Sequence, residues 1–422
     1  MKDSKNLRLH RRDFFKKSAA GLIGSFGGFY TNFHSNQARN FKKPLSPTDK
    51  NWSRIRSHFI LRSGTAYMNN ASLGMPPLNV VDSVKTGYEE ISKEPLRGKR
   101  NLQNNINNRV LPLLAKTFNT NKDEVVLTRN ASEALFLQTL GMVLNRGDEV
   151  VLSTQEHPAA LKPWKHREIK DGIILKYVFI PSPLISKRDV VSRLMSAVTP
   201  KTKAMSFCHV TRGGHKYPVK EIVKEAKRKK VATLVDGAQA VGQFPINLDK
   251  IGCDAYSASL HKWILAPSGT GFLYVKDSSK YLFQSPFDTE ATTVNSYFNP
   301  PGTKDYPLRA ALGKALRFVD QIGLENIEER CRYLSNYLKE GLRKMSDITI
   351  LSSDDPELSA PGSTIFEKRN LDAIESVTLF RNKINFHIDE HQRDGHNAIR
   401  ISTHYYNTTK EIDILLDTLN SV

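Results

Sequence analysis

Apolar and polar positions along this chain switch between two periods. Short apolar, β-branched runs at Glu124–Thr128, Glu149–Ser153, Ile173–Ile180, Ala204–His209, Val231–Asp236, Ala255–Ala258 and Gly271–Val275 predict strands. Between them Ser132–Leu144, Asp189–Ala197 and Val219–Lys230 carry the helical period, and Pro218 stands where a first helical turn tolerates it. Strands alternating with helices predict an α/β fold with a mostly parallel, seven-stranded sheet. From Pro307 the texture changes. Leu308–Ile322 and Leu324–Met345 are amphipathic, with Leu324, Ile327, Cys331, Leu334, Leu338 and Leu342 on one face. Short strands near Ile348–Leu351, Ser363–Phe366, Asn385–Ile388 and Ile399–Ser402, and a last helix from Lys410, predict a smaller α+β C-terminal domain. The border is expected at Asn299-Pro300-Pro301-Gly302, giving a large domain over 52–300 and a small one over 301–422.

Composition adds little to the fold and more to the setting. The chain has 422 residues, 39% of them hydrophobic, enough for a large core. Cys208, Cys253 and Cys331 lie far apart without CxxC spacing, which argues against a disulfide framework or a metal site. The net charge is +19. Residues 1–50 hold eleven Lys/Arg against three Asp, so +8 is local and the rest carries +11. No basic stretch is interleaved with aromatics, so nucleic acid is not an expected partner. His10-Arg11-Arg12-Asp13-Phe14-Phe15-Lys16-Lys17, followed by the weakly apolar run Ser18–Gly28, resembles a twin-arginine export signal. The run is too short to span a membrane. Residues 1–30 are therefore expected to be a signal segment read by the twin-arginine export machinery, with 31–51 a linker. The protein is expected in the periplasm or outside the cell, or held at the membrane if the segment stays uncleaved.

Five clusters can carry chemistry. Asp236 ends the apolar run Val231–Val235, at the strand end that lines ligand crevices in parallel sheets. Gly237 and Ala238 let a flat ring approach, and the Gln239 amide can donate to it. Lys262 follows 26 residues on, in Ser259-Leu260-His261-Lys262. An acid and a sheltered lysine are what pyridoxal 5′-phosphate (PLP) needs, one at the pyridine nitrogen and the other as the Schiff base. Thr128–Ala134 opens a helix with small and hydroxyl residues, suited either to a phosphate or to ordinary capping by Asn130 or Ser132. His157 follows a strand in a loop, where it either stacks on a cofactor or faces solvent. Arg400 lies inside a short apolar strand, where burial demands a partner, either a substrate carboxylate or a structural acid.

Together these pieces resemble the class V aminotransferase family of PLP-dependent fold-type I enzymes, which includes isopenicillin N epimerase-like proteins, cysteine desulfurases and selenocysteine lyases. The resemblance covers roughly residues 52–422. It implies Lys262, Asp236 and His157 as the catalytic set, with Lys262 the Schiff-base lysine, Asp236 at the pyridine nitrogen and His157 stacked on the ring. Gln239 would meet the phenolic oxygen. Ala131, Ser132, Ser259 and His261 would hold the phosphate, joined by Thr303 of the neighbouring subunit in a homodimer. Arg400 would bind the substrate carboxylate, with Asn70, in Met68–Gly74, and Thr211 nearby. Arg212 and His215 either line the pocket or face solvent. The chain departs from desulfurases at His391–Ala398, where they carry a nucleophilic cysteine and this sequence has none. The resemblance thus implies an amino-acid substrate reacting through an external aldimine and a carbanion, by transamination or epimerisation. A desulfurase or β-lyase activity without the loop cysteine, or a non-catalytic PLP-fold binding protein, are the alternatives.

Overall fold

The computed structural model describes residues 44–422. The twin-arginine segment and most of the expected linker lie outside the described residues. A short strand β1 (Ala66–Tyr67) precedes the large sheet, built from β2 (Val125–Thr128), β3 (Glu149–Ser153), β4 (Ile174–Val178), β5 (Thr202–Cys208), β6 (Ala232–Asp236), β7 (Ala255–Ser259) and β8 (Gly271–Val275). All seven expected strands are present. Their order is β2-β8-β7-β6-β5-β3-β4. Only β8 runs against its neighbours, β2 and β7, and the other pairs are parallel.

Strands β6, β7 and β8 are buried along their whole length. A strand covered on both faces has no solvent side, which is why these runs are continuously apolar. Val150, Leu152, Leu234 and Leu273 meet Trp164 and Phe298 in the main core. The register sets Asp236 level with Cys208 of β5 and Ser257 of β7. The strand ends thus form one rim, from which Asp236 and Ser259 open into loops.

The small sheet comprises β9 (Ile348–Ile350), β10 (Ser363–Lys368), β12 (Asp389–Arg393) and β13 (His396–Ser402), in the antiparallel order β12-β13-β10-β9. It packs on the helix Leu324–Leu342 and the C-terminal helix Thr409–Asn420 through Leu334, Leu338, Ile399, Ile401 and Leu415. The strand expected over Asn385–Ile388 is shorter. Asn385 closes the helix Ala373–Ile384 in a left-handed conformation, leaving only β11 (Phe386–His387), which pairs in parallel with β1. This pair ties the N-terminal segment to the small sheet, and Ser402 N then donates to Met68 O at 2.7 Å. From there residues 69–74 run to the loop that bears Lys262.

The helices Leu78–Lys93, Pro95–Asn105, Pro158–Asp171 and Ala373–Ile384 and the strand β12 were not foreseen from the pattern. Among the described residues no helix is long and apolar enough to cross a membrane.

Candidate functional site

At the rim of β5, β6 and β7 lies a cavity of about 150 Å³. Ala131, Ser132, His157, Asp236, Gln239, Ser259, His261 and Lys262, all expected from sequence, line it together. Larger cavities of about 430 and 690 Å³ lie elsewhere, but neither is lined by a buried carboxylate together with a lysine. Chemistry, not volume, selects the smaller one.

Asp236 is 6% exposed. Its Oδ1 accepts from Ala238 N at 2.9 Å. Burial raises its proton affinity, while that N–H and the nearby Lys262 pull it back down. Gly237 cannot be replaced without moving the core, since a Cβ there would lie 2.0 Å from the Tyr256 ring. Lys262 faces the opposite pressure. Burial lowers its pKa to about 8, Asp236 raises it, and Arg400 and Arg212 lower it further. A neutral amine is thus accessible near neutral pH, which Schiff-base formation requires.

The loop carrying Lys262 is held from several sides. Asn70 Nδ2 donates to Lys262 O at 3.2 Å, and Gly74 N donates to His261 O at 2.8 Å. A Cβ on Gly74 would fall 2.0 Å from Lys262 O. Trp263 is fully buried; its indole N–H donates to Gln239 Oε1 at 2.9 Å, and His404 stacks on its ring. Leu265 adopts φ +58°, a conformation costing a β-carbon about 1–2 kcal/mol. Such strain persists only where surrounding packing fixes it.

The helix Ala131–Gly141 points its N-terminus at the cavity. Asn130 caps it by accepting from Glu133 N at 2.9 Å. Ala131 N donates to Ser259 Oγ at 2.9 Å, which joins the helix start to the end of β7. Asn130 is thus the cap, and Ala131, Ser132, Ser259 and His261 lie together at the cavity beside the helix N-terminus. His261 Nδ1 donates to Thr270 O at 3.3 Å. His157 is the N-cap of Pro158–Asp171, and its Nδ1 accepts from Ala159 N at 3.1 Å, so a neutral ring carries its proton on Nε2. Desolvation, then Lys262, Arg393, Arg212 and Arg400, hold its pKa near 4. The ring remains accessible on the cavity side. Gln239 lines the cavity, but its Nε2 already donates to Ala71 O at 2.9 Å, leaving one amide hydrogen for a ligand.

Four expected residues do not line the cavity. Asn70 is fully buried, and its amide is taken up by Lys262 O and by Tyr406 Oη, which donates to Asn70 Oδ1 at 3.0 Å. Thr211 Oγ1 accepts from His215 N at 3.1 Å and holds a turn. Thr303 stands exposed away from the cavity of its own chain. Arg400 is 1% exposed and lies behind the wall. Its Nη2 donates to the Asp389 carboxylate, to Ser72 Oγ at 2.9 Å and to Asn69 Oδ1 at 3.1 Å, while Nη1 donates to Arg212 O at 3.3 Å. Arg212, left open by the sequence, does line the cavity; its Nη2 meets Glu390 Oε1 at 2.6 Å. His215 is fully buried with Nε2 2.6 Å from Ser182 Oγ and is not among the lining residues.

Sequence reasoning also missed residues. Asp389 and Glu390 open a polar strand with no hydrophobic signature. Gln155 lines the cavity while its Nε2 donates to Asp394 at the tip of the β12–β13 hairpin. Glu156 is 1% exposed, and burial lifts its pKa to about 8, with Ser153 opposing and Asp236 adding to the rise. Among the described residues no cluster of His, Cys, Asp and Glu could hold a metal.

A seven-stranded, mostly parallel sheet with a lysine and a buried acid at its carboxyl rim defines a PLP-dependent enzyme of fold type I. The particular family follows from comparison: the sequence model described as Aminotransferase class-V matches residues 66–415, and the chain belongs to that family. It is 27% identical over 382 residues to a probable cysteine desulfurase of Synechocystis sp., covering 84% of this chain and 90% of that protein. It is 24% identical over 396 residues to isopenicillin N epimerase of Streptomyces clavuligerus, covering 88% and 98%. The apo cysteine desulfurase of Thermococcus onnurineus superposes with a TM-score of 0.78 at 22% identity, covering 87% of this chain and 97% of that one. The cofactor of the family, PLP, fits the residues present. The Asp236–Lys262 pair, the helix start closed by Ser259 and the small Ala238 on the cavity wall match its ring and phosphate.

Proposed function

We propose that this chain catalyses a proton shift at the α-carbon of an amino acid, as an aminotransferase or an epimerase, and not persulfide-forming sulfur transfer. One observation carries the reading. The cavity offers a lysine with an accessible neutral amine but no reactive thiol. Cys208 lines the wall, yet burial, then Glu156 and Asp236, hold its pKa well above normal, so it stays a protonated thiol. Cys253 and Cys331 are buried elsewhere. The hairpin 389–402, where the resembling desulfurases carry their cysteine, has none.

Lys262, Asp236, Gln239 and His157 would hold the ring, and Ala131, Ser132, Ser259 and His261 the phosphate. Bound PLP supplies an electron sink that makes the α-proton of an attached amine acidic. The chain does the rest. Asp236 would hold the ring nitrogen through its carboxylate, in a buried setting where its charge acts undiluted by water. Lys262 Nζ, with its lowered pKa, takes up and returns the proton. His157, neutral at physiological pH, would help hold the ring without adding charge. Arg212 lines the cavity and offers a cation for a substrate carboxylate, with Arg400 behind it.

Purified protein incubated with single amino acids, with and without a 2-oxo acid acceptor, separates the outcomes. Acceptor-dependent keto product marks transamination, and loss of chirality without acceptor marks epimerisation. Release of sulfide or persulfide from cysteine with neither of these would overturn the proposal.

A further inference from the structure

The carboxylate seat on Arg400 is taken by the chain itself. Asp389 and Arg400 face each other across β12 and β13. Asp389 Oδ2 accepts from Arg400 Nη2 and from Ser72 Oγ at 2.9 Å. The same oxygen lies 3.4 Å from Arg212 Nη2. Arg400 Nε is buried without a partner. The seating is therefore incomplete: an arginine prefers two parallel bonds to a carboxylate, and Asp389 reaches only the Nη2 corner.

We propose that Asp389 is an exchangeable internal ligand, which the carboxylate of an incoming α-amino acid displaces from Arg400 and sends to Arg212. The idea rests on the amino-acid reading given above. Three features support exchange over a fixed structural bridge. Arg400 is almost fully buried, and a lone buried cation is costly, so it needs a resident carboxylate while no substrate is bound. The Asp389 side chain keeps 20% of its surface accessible, against 2% for Arg400, so the acid has room to turn where the arginine does not. Arg212 lines the cavity and its Nη2 already donates to Asp389 Oδ2 at 3.4 Å, beside Glu390 Oε1 at 2.6 Å, so Asp389 can turn further toward it without leaving a cation. The exchange swaps one carboxylate for another on Arg400, so the buried cation keeps a partner throughout. Asp389 would thus set the affinity for carboxylate-bearing amines, by competition, without touching the reacting atoms.

The experiment compares holoenzyme of the wild type, Asp389→Asn and Asp389→Ala, titrated with glycine and with ethylamine while following the visible band of the lysine-bound cofactor. The expected result is glycine binding at least tenfold tighter in both variants, with ethylamine affinity within twofold of wild type. Glycine affinity unchanged or weakened, or both amines tightened alike, would overturn the proposal. A crystal structure of the wild-type glycine complex gives an independent check should the variants fold poorly. Asp389 should be found on Arg212 with glycine on Arg400, and Asp389 still seated on Arg400 would contradict it. A wild type without a visible band that depends on Lys262 defeats the PLP reading and this proposal together. A band that responds to both amines but ignores Asp389 defeats this proposal alone.

Discussion

At the scale of single residues, two buried titratable groups pull in opposite directions. Glu156 binds its proton more tightly folded than unfolded, up to a pKa of about 8 from an ordinary 4.5. Between those values the folded state holds the extra proton, so stability falls as pH rises. Lys262 is the reverse, lowered to about 8 from 10.5. In that window the unfolded state holds the extra proton, and stability rises with pH. Below about pH 6.5 the buried His209, His391 and His404, with pKa values held near 3 by desolvation, make stability rise with pH. Denaturant unfolding of the cofactor-free protein should therefore show stability falling only from about pH 6.5 to a local minimum near pH 8. Glu156→Gln should flatten the acidic limb and Lys262→Met the basic limb, and a profile unmoved by either change would show that the two groups titrate normally. Asp236 was legible in the sequence because it ends an apolar run ahead of Gly237 and Ala238, and Lys262 because it stands 26 residues on, just past another strand beside Ser259 and His261. Arg400 was legible as a charge needing a partner, but not which partner. Asp389 lies eleven residues earlier in a polar hairpin, and only the register of β12 against β13 sets the two opposite each other.

Among elements, the site depends on backbone approach more than on side-chain reach. Gly74→Ala forces a Cβ into Lys262 O and should shift the lysine loop. Overpacking of this kind costs roughly 1–3 kcal/mol. PLP affinity, measured by fluorescence titration, should fall at least tenfold, and an unchanged affinity would mean the loop tolerates the displacement. Asn130→Ala removes the cap of the helix facing the phosphate site and should cost about 1 kcal/mol of stability. The large sheet was readable because its central strands are buried on both faces. The helix Leu78–Lys93 was not, since it buries only Val80 and Gly87 and its pattern is mostly polar. The helix Pro158–Asp171 was hidden by Pro163, which falls within its first two turns; its N-cap is His157 itself.

For the whole molecule, the family and its cofactor follow from sequence and fold together, while assembly and address stay proposals. We propose a homodimer in which Thr303, exposed on its own chain, completes the partner's phosphate site. Phe136, Leu140 and Val143 are 40%, 46% and 55% exposed around the phosphate-facing helix and form an apolar stripe suited to a subunit face. Leu140→Asp should shift sedimentation toward monomer and weaken PLP binding; a wild type that sediments as a monomer would remove both claims. We also propose export through the twin arginines Arg11 and Arg12. Changing both to Lys should leave the protein in the cytoplasm, and unaltered delivery to the envelope would exclude that route. The substrate could not be read from sequence, because the motifs point to the cofactor, whereas Arg212, Asp389 and Glu390 meet at the cavity wall only once folding brings distant segments together.

The central claim is that Lys262 carries the cofactor. Borohydride reduction of the PLP-loaded protein, followed by digestion and peptide mass mapping, tests it most directly. The pyridoxyl group should be found on the peptide containing Lys262 and be absent from Lys262→Ala; its recovery on another lysine, or on none, would contradict the account.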